Sequence, residues 1–147
     1  QQFVKSTMEI VAYAAPKGVN IAIEPINKFE GQAGFLNAIP EALSIVDEIA
    51  ADNLGVQADF YHMNMADGNL IETLRLMEGK LMHVHLVESN RYILGTGHLD
   101  FAAILQTLKE LNFTAYLSLD SVPAKPDWKT VVEQGISYLK QMEQQTA

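Results

Sequence analysis

The feature that most constrains this chain is an alternation of short apolar runs with longer stretches whose apolar residues recur every three or four positions. Short β-branched runs read as buried strands, and the longer stretches as helices with one apolar face. Residues 3–15 make a helix with Phe3, Met8, Val11, Ala12 and Ala15 on one side, stopped by Pro16-Lys17-Gly18. A strand over 19–23 ends at Glu24-Pro25, and a helix over 39–51 carries Ala42, Leu43, Val46, Ile49 and Ala50 at helical spacing. The unit repeats. A strand over 54–58 runs into Asp59, a helix over 70–77 closes at Gly79, and a third strand spans 81–86. Asp100 is a plausible N-cap for a helix over 101–111, a fourth strand over 115–119 runs into Asp120, and a last helix covers 128–143. The expectation is an α/β domain of four strands and five helices over residues 1–147, with no linker marking a second unit.

Strands joined through helices pair in parallel, because parallel neighbours need a crossover connection. A parallel sheet must be covered on both faces or closed on itself. An open four-stranded sheet and half of an eight-stranded βα barrel both satisfy the pattern. In either architecture the carboxyl ends of the strands point to one side, where binding sites collect. Glu24, Asp59, His85 and Asp120 each fall at or just after a strand end, separated by 35, 26 and 35 residues. Four residues remote in sequence therefore converge. Three carboxylates with one imidazole suit a hard or borderline divalent ion such as Mn²⁺, Co²⁺ or Mg²⁺ better than a structural zinc site.

Composition narrows the function further. The formal charge of −8 argues against nucleic acid as a partner, which would require a basic face. No cysteine is present, so disulfides, thiolate metal sites and cysteine nucleophiles are excluded, and a cytoplasmic location is expected. No run approaches the length of a membrane span, and Gln1-Gln2-Phe3-Val4 lacks the basic start of a leader. The chain also begins without Met, so a longer parent is expected. Gly95-Thr96-Gly97 lacks the third glycine and the setting of a nucleotide loop.

Four segments carry a resemblance to a known family. They are Ile23-Glu24-Pro25-Ile26-Asn27-Lys28-Phe29-Glu30, Asp59-Phe60-Tyr61-His62-Met63-Asn64, His83-Val84-His85 running on to Glu88-Ser89-Asn90-Arg91, and Gly95-Thr96-Gly97-His98-Leu99-Asp100-Phe101. In this order they resemble the xylose isomerase-like sugar isomerases and epimerases, most of all the ketose 3-epimerases of the tagatose and psicose type. The resemblance covers essentially the whole chain. It implies the C-terminal half of a (β/α)₈ TIM barrel, one divalent metal ion and a small sugar as substrate. Residue by residue, it implies Glu24, Asp59, His85 and Asp120 as metal ligands, with Glu24 and Asp120 as the acid/base pair. Glu30, His62 and Arg91 fall where the family contacts sugar hydroxyls and carbonyl. The family has glutamate where this chain has Asp120, a carboxylate one methylene shorter, roughly 1.3 Å on ordinary bond geometry.

The residue types fit the implied chemistry. Shifting a proton beside a ketone needs a base on one face, stabilised enediolate oxygens and an acid on the other face. Arg91 or His62 would donate to the developing oxyanion. Beyond Arg91 there is no basic cluster for a phosphate, so an unphosphorylated sugar is expected. His83 is expected to face away from His85 and serve packing, Phe60-Tyr61 and the stretch Met63-Asn64-Met65 to line the core or a pocket wall, His98 to sit in a loop, Asn64 and Asn90 to bond backbone, and Glu88 to support the site from behind. Half a barrel leaves edges open, which leaves two readings, copies of the chain closing on each other or, the one favoured here, a fragment of a longer enzyme. Alternatives are an inosose isomerase or dehydratase of the same superfamily and an inert sugar- or metal-binding relative. An abasic-site endonuclease is disfavoured by the charge and by too few histidines for a three-zinc cluster.

Overall fold

A computed structural model describes residues 1–30 and 34–145. Its centre is a four-stranded sheet, β1 (Ile21–Ile23), β2 (Leu54–Asp59), β3 (Leu81–Leu86) and β4 (Leu117–Leu119). The strands lie in sequence order and all pair in parallel. Among the described residues six helices accompany them: α1 (Gln2–Ala14), α2 (Ile39–Ile49), α3 (Phe60–Ala66), α4 (Leu70–Leu76), α5 (Phe101–Glu110) and α6 (Trp128–Gln145). This is the alternating βα order expected from the sequence, with α3 added. That helix has seven residues, too few for an apolar stripe to recur, and it starts because the Asp59 side chain accepts the backbone N–H of His62 at 3.0 Å. The outer strands have three residues each, shorter than the sequence patterns suggest. Each pairs on one side only, so its ladder ends early.

Local chemistry explains the helix ends. Gly18 adopts a left-handed φ of 66° after the 3₁₀ turn Ala15–Lys17, and α2 opens with Pro40 in its first turn while Glu41 accepts the backbone N–H of Asn37 at 2.7 Å. Asp100 caps α5 through the N–H of Ala103 at 3.0 Å, as its position suggests. Asn53 donates to the carbonyls of Val11 and Val19, at 3.2 and 3.1 Å, and so ties the end of α1 to the approach of β1.

The two faces of the sheet differ in chemistry. Val56, Ala58, Val84 and Leu86 turn toward the helices and are buried with Ala42, Val46, Leu74, Phe101, Ile104 and Leu108. Phe101 meets Phe60 and Tyr138 edge to face, with centroids at 6.4 and 6.0 Å. The other face carries Gly55, Gln57 and Asp59 on β2, His83 and His85 on β3, and Ser118 on β4. Gly55 is required there, because a Cβ would collide with the carbonyl oxygen of Lys80 and the side chain of Met82. A register irregularity between Val56 and Gln57 then sets Gln57 beside His83 and Asp59 beside His85. No helix among the described residues is long and apolar enough to cross a membrane.

Candidate active site

All four strand-end residues meet at the carboxyl edge of the sheet. His85 Nδ1 lies 3.3 Å from Asp59 Oδ2, 3.4 Å from Glu24 Oε1 and 4.0 Å from Asp120 Oδ2. Asp59 is nearly inaccessible at 2 % exposure, while Glu24, His85 and Asp120 stay partly open at the mouth. The carboxylates of Asp59 and then Glu24 accept hydrogen bonds from the imidazole and push its pKa up to about 10 against the opposing effect of burial. A divalent cation and a proton would therefore compete for the same place. Ligating atoms of Asp59, His85 and Asp120 lie within 4.8 Å of one another, as do those of Glu24, Asp59 and His62. Three acidic groups packed this closely around one imidazole are the donor set of a hard or borderline divalent ion, so the residues fit such a group.

His83 corrects one expectation. Its ring lies 5.4 Å from that of His85, edge to face, on the same side of β3. Residues two apart in a strand share a face, so the two histidines could not have pointed oppositely. Ser118 Oγ stands 2.9 Å from His83 Nε2, and burial followed by the neighbouring His85 holds the His83 pKa below its usual value. Gln57, which the sequence offered no reason to choose, places its amide nitrogen 3.2 Å from both ring nitrogens of His85. Together these side chains form a polar floor beneath the acidic cluster.

The three residues expected to meet a sugar lie beside it. Arg91 Nη1 donates to Glu30 Oε1 at 3.1 Å, and its Nη2 lies 3.9 Å from Asp120 Oδ2. The guanidinium sits 4.8 Å from the ring centroid of Tyr61, which gives that pocket-wall residue a purpose its sequence position did not reveal. Burial, followed by the charge of Glu30, raises the Tyr61 pKa. Arg91 holds a left-handed φ of 64°, unusual for a residue with a side chain, and its Nε is buried with no partner among the described residues. Strain and a donor without a partner among the described residues coincide in a side chain whose Nη2 faces Asp120. His62 is 4 % exposed and engages Asn27.

Glu88 takes the supporting part expected of it. Almost fully buried, it accepts the N–H groups of Ser89 at 2.8 Å and Gly95 at 3.1 Å, and its carbonyl accepts the N–H of Arg91 at 2.8 Å. Asn90 bonds the Thr96 carbonyl at 3.0 Å, and His98 is exposed in the same loop, donating its backbone N–H to Ser89 Oγ.

Comparison with known proteins agrees with this architecture. A family described as the xylose isomerase-like TIM barrel matches residues 1–142. The chain is 32 % identical over 118 residues to an L-ribulose 3-epimerase of Methylomonas sp. strain DH-1, covering 80 % of this chain and 41 % of that protein. It superposes on the apo crystal structure of a 3-keto-D-glucoside 4-epimerase from Escherichia coli with a TM-score of 0.86 and 26 % identity, covering 94 % of this chain and 52 % of the other. A D-allulose 3-epimerase from Methylomonas sp. in complex with D-allulose gives a TM-score of 0.79 at 27 % identity, covering 95 % and 54 %. The chain thus spans about half the length of the proteins it matches.

Proposed function

The chain belongs to the xylose isomerase-like TIM barrel family, and from that premise we propose that its site is that of a divalent-metal-dependent sugar isomerase or epimerase acting on a ketose by proton transfer through an enediolate. In this reading residues 1–147 are the C-terminal half of the barrel. Glu24, Asp59, His85 and Asp120 would hold one Mn²⁺, Co²⁺ or Mg²⁺. Such an ion supplies Lewis acidity toward the carbonyl and neighbouring hydroxyl oxygens of the sugar.

The chain's own residues do the rest. Glu24 leaves the first strand of the sheet and Asp120 the last, so the two carboxylates flank the site from opposite sides. One removes the proton from the carbon beside the carbonyl, and the other returns a proton to the opposite face, which inverts the centre. Arg91 and His62 donate to the oxygens on which charge develops. Glu30 holds Arg91 in place and accepts from a sugar hydroxyl. The observation that carries this reading is the convergence of Glu24 and Asp120 on His85, with the partly unsatisfied guanidinium of Arg91 next to Asp120. A polyhydroxylated ketone suits this arrangement, since it offers paired oxygens for an ion and hydroxyls for Glu30 and Arg91. Sugars are named for the relatives above, which supports the class and leaves the individual sugar to experiment.

The test is metal content and isotope exchange on the purified chain. After loading with Mn²⁺ and desalting, about one ion per chain is expected, and deuterium from heavy water should enter a ketose at the carbon beside its carbonyl. Glu24→Gln should abolish exchange. A chain that takes up no ion in either form sinks the metal assignment, and bound ion with ketose bound but never exchanged favours an inert relative.

A further inference from the structure

Asn27 follows Glu24 by three residues and has no exposed surface. Its amide is oriented from both ends. The backbone N–H of Phe29 donates to Asn27 Oδ1 at 2.9 Å, and since a backbone amide nitrogen can only donate, that end of the side chain is its carbonyl. The other end is therefore the NH₂ group, and it stands 2.7 Å from His62 Nδ1. The backbone N–H of Asn27 faces the same ring nitrogen at 3.5 Å. Two donors converge on one nitrogen, which must carry a lone pair and no hydrogen. A neutral imidazole with a bare Nδ1 bears its hydrogen on Nε2.

We infer that Asn27 is a positioning residue that locks His62 in the Nε2–H tautomer, so that His62 meets the site as a hydrogen-bond donor to a substrate oxygen and not as a metal ligand. Proximity alone would leave the choice open, because His62 shares a cluster with Glu24 and Asp59 whose ligating atoms lie within 4.8 Å. The tautomer decides it. The Nδ1 lone pair is spent on Asn27, and Nε2 has a hydrogen where an ion would need a lone pair. The oxyanion-facing donor is thus set in advance, with nothing to reorganise as charge builds up. Identifying the acceptor as a ketose oxygen rests on the function proposed above, whereas the tautomer does not.

Nitrogen NMR of the purified chain with ¹⁵N-labelled histidine reads the tautomer directly, the His62 signals being identified by their loss in His62→Gln. In the wild type, Nε2 should show the protonated signature and Nδ1 the bare one. Asn27→Asp keeps the shape and the acceptor for Phe29 but offers His62 an oxygen, so the hydrogen should move to Nδ1. A wild-type ring with hydrogen on Nδ1, or a ring unchanged in Asn27→Asp, overturns the inference. Calorimetry with the Mn²⁺-loaded chain then tests the purpose of the lock: Asn27→Asp should bind ketose about tenfold more weakly, the scale of one lost hydrogen bond, with the Mn²⁺ stoichiometry intact. Unchanged ketose affinity after a demonstrated switch would refute the donor role. If the wild type has the stated tautomer and binds no ketose, the positioning stands and the proposed substrate class falls.

Discussion

Asp120 is where this site departs from the pattern its sequence resembles, and the departure has a measurable size. Its carboxylate stays 4.0 Å from His85 Nδ1, against 3.3 and 3.4 Å for Asp59 and Glu24. One more methylene would reach roughly 1.3 Å further. Asp120→Glu should therefore tighten Mn²⁺ binding and raise ketose exchange, by up to about a hundredfold if misplacement limits the rate. Slower exchange in this variant would mean that aspartate is the length the native substrate requires. Asp67 gives a pH prediction away from the site. Burial, partly opposed by the N–H of Ile39, pushes its carboxyl up to about 6 from 3.8. The native state then holds the proton more tightly than the unfolded state, so this group's contribution to stability falls as pH rises from about 4 to about 6. Asp67→Asn keeps an acceptor for Ile39 without the charge. It should stabilise the chain at pH 7 by about 1 kcal/mol, a value reduced for the solvent screening of a half-buried group, and by nothing at pH 3.5. Urea melts at the two pH values check the sign.

Among the elements, the loop after β3 connects sequence to chemistry most directly. It carries Arg91 and is held from inside by the buried carboxylate of Glu88. Gly97 packs against that anchor, and a Cβ there would overlap the Glu88 carboxylate and Ser89 Oγ. Gly97→Ala should displace the loop. The expected result is weaker ketose binding with Mn²⁺ binding preserved, because the four strand ends do not depend on the loop. Loss of both together would show that loop and strand ends fold as one unit. A second element-scale test lies in the sheet, where Gly55→Ala would press β2 against Lys80 and Met82. Such overpacking costs typically 1–3 kcal/mol, measurable by denaturation.

At the scale of the molecule, β1 and β4 each have one edge with no strand paired to it among the described residues. Beside β1 lie exposed Phe3, Ile10 and Phe35, with Val19 just before the strand, and beside β4 lie exposed Leu117 and Ile136, with Tyr116 just before it. Unpaired parallel edges flanked by apolar side chains invite pairing. The isolated chain should self-associate in a concentration-dependent way, and salt should strengthen the association by screening a net charge of −8. Leu117→Lys, at the β4 edge, should weaken it. Sedimentation showing a single chain at every concentration and salt level would refute this prediction.

The sequence by itself determined the alternating architecture and the four residues at the strand ends, because burial and strand periodicity are written in the local order of side chains. Glu24, Asp59, His85 and Asp120 were legible for that reason, and Glu30, His62 and Arg91 through their place in recognisable segments. Local order also decides which residues share a face, and the shared face of His83 and His85 was available from it. What only the tertiary structure decided is who meets whom across the chain. Register brought Gln57 to His83 and His85, and the loop after β3 laid Arg91 over Tyr61 with an Nε that has no partner among the described residues. The amide of Asn27 was turned by Phe29 toward a histidine 35 residues away. Hydrogen-bond direction depends on the whole set of donors and acceptors around a group, and that set exists only once distant segments have packed together.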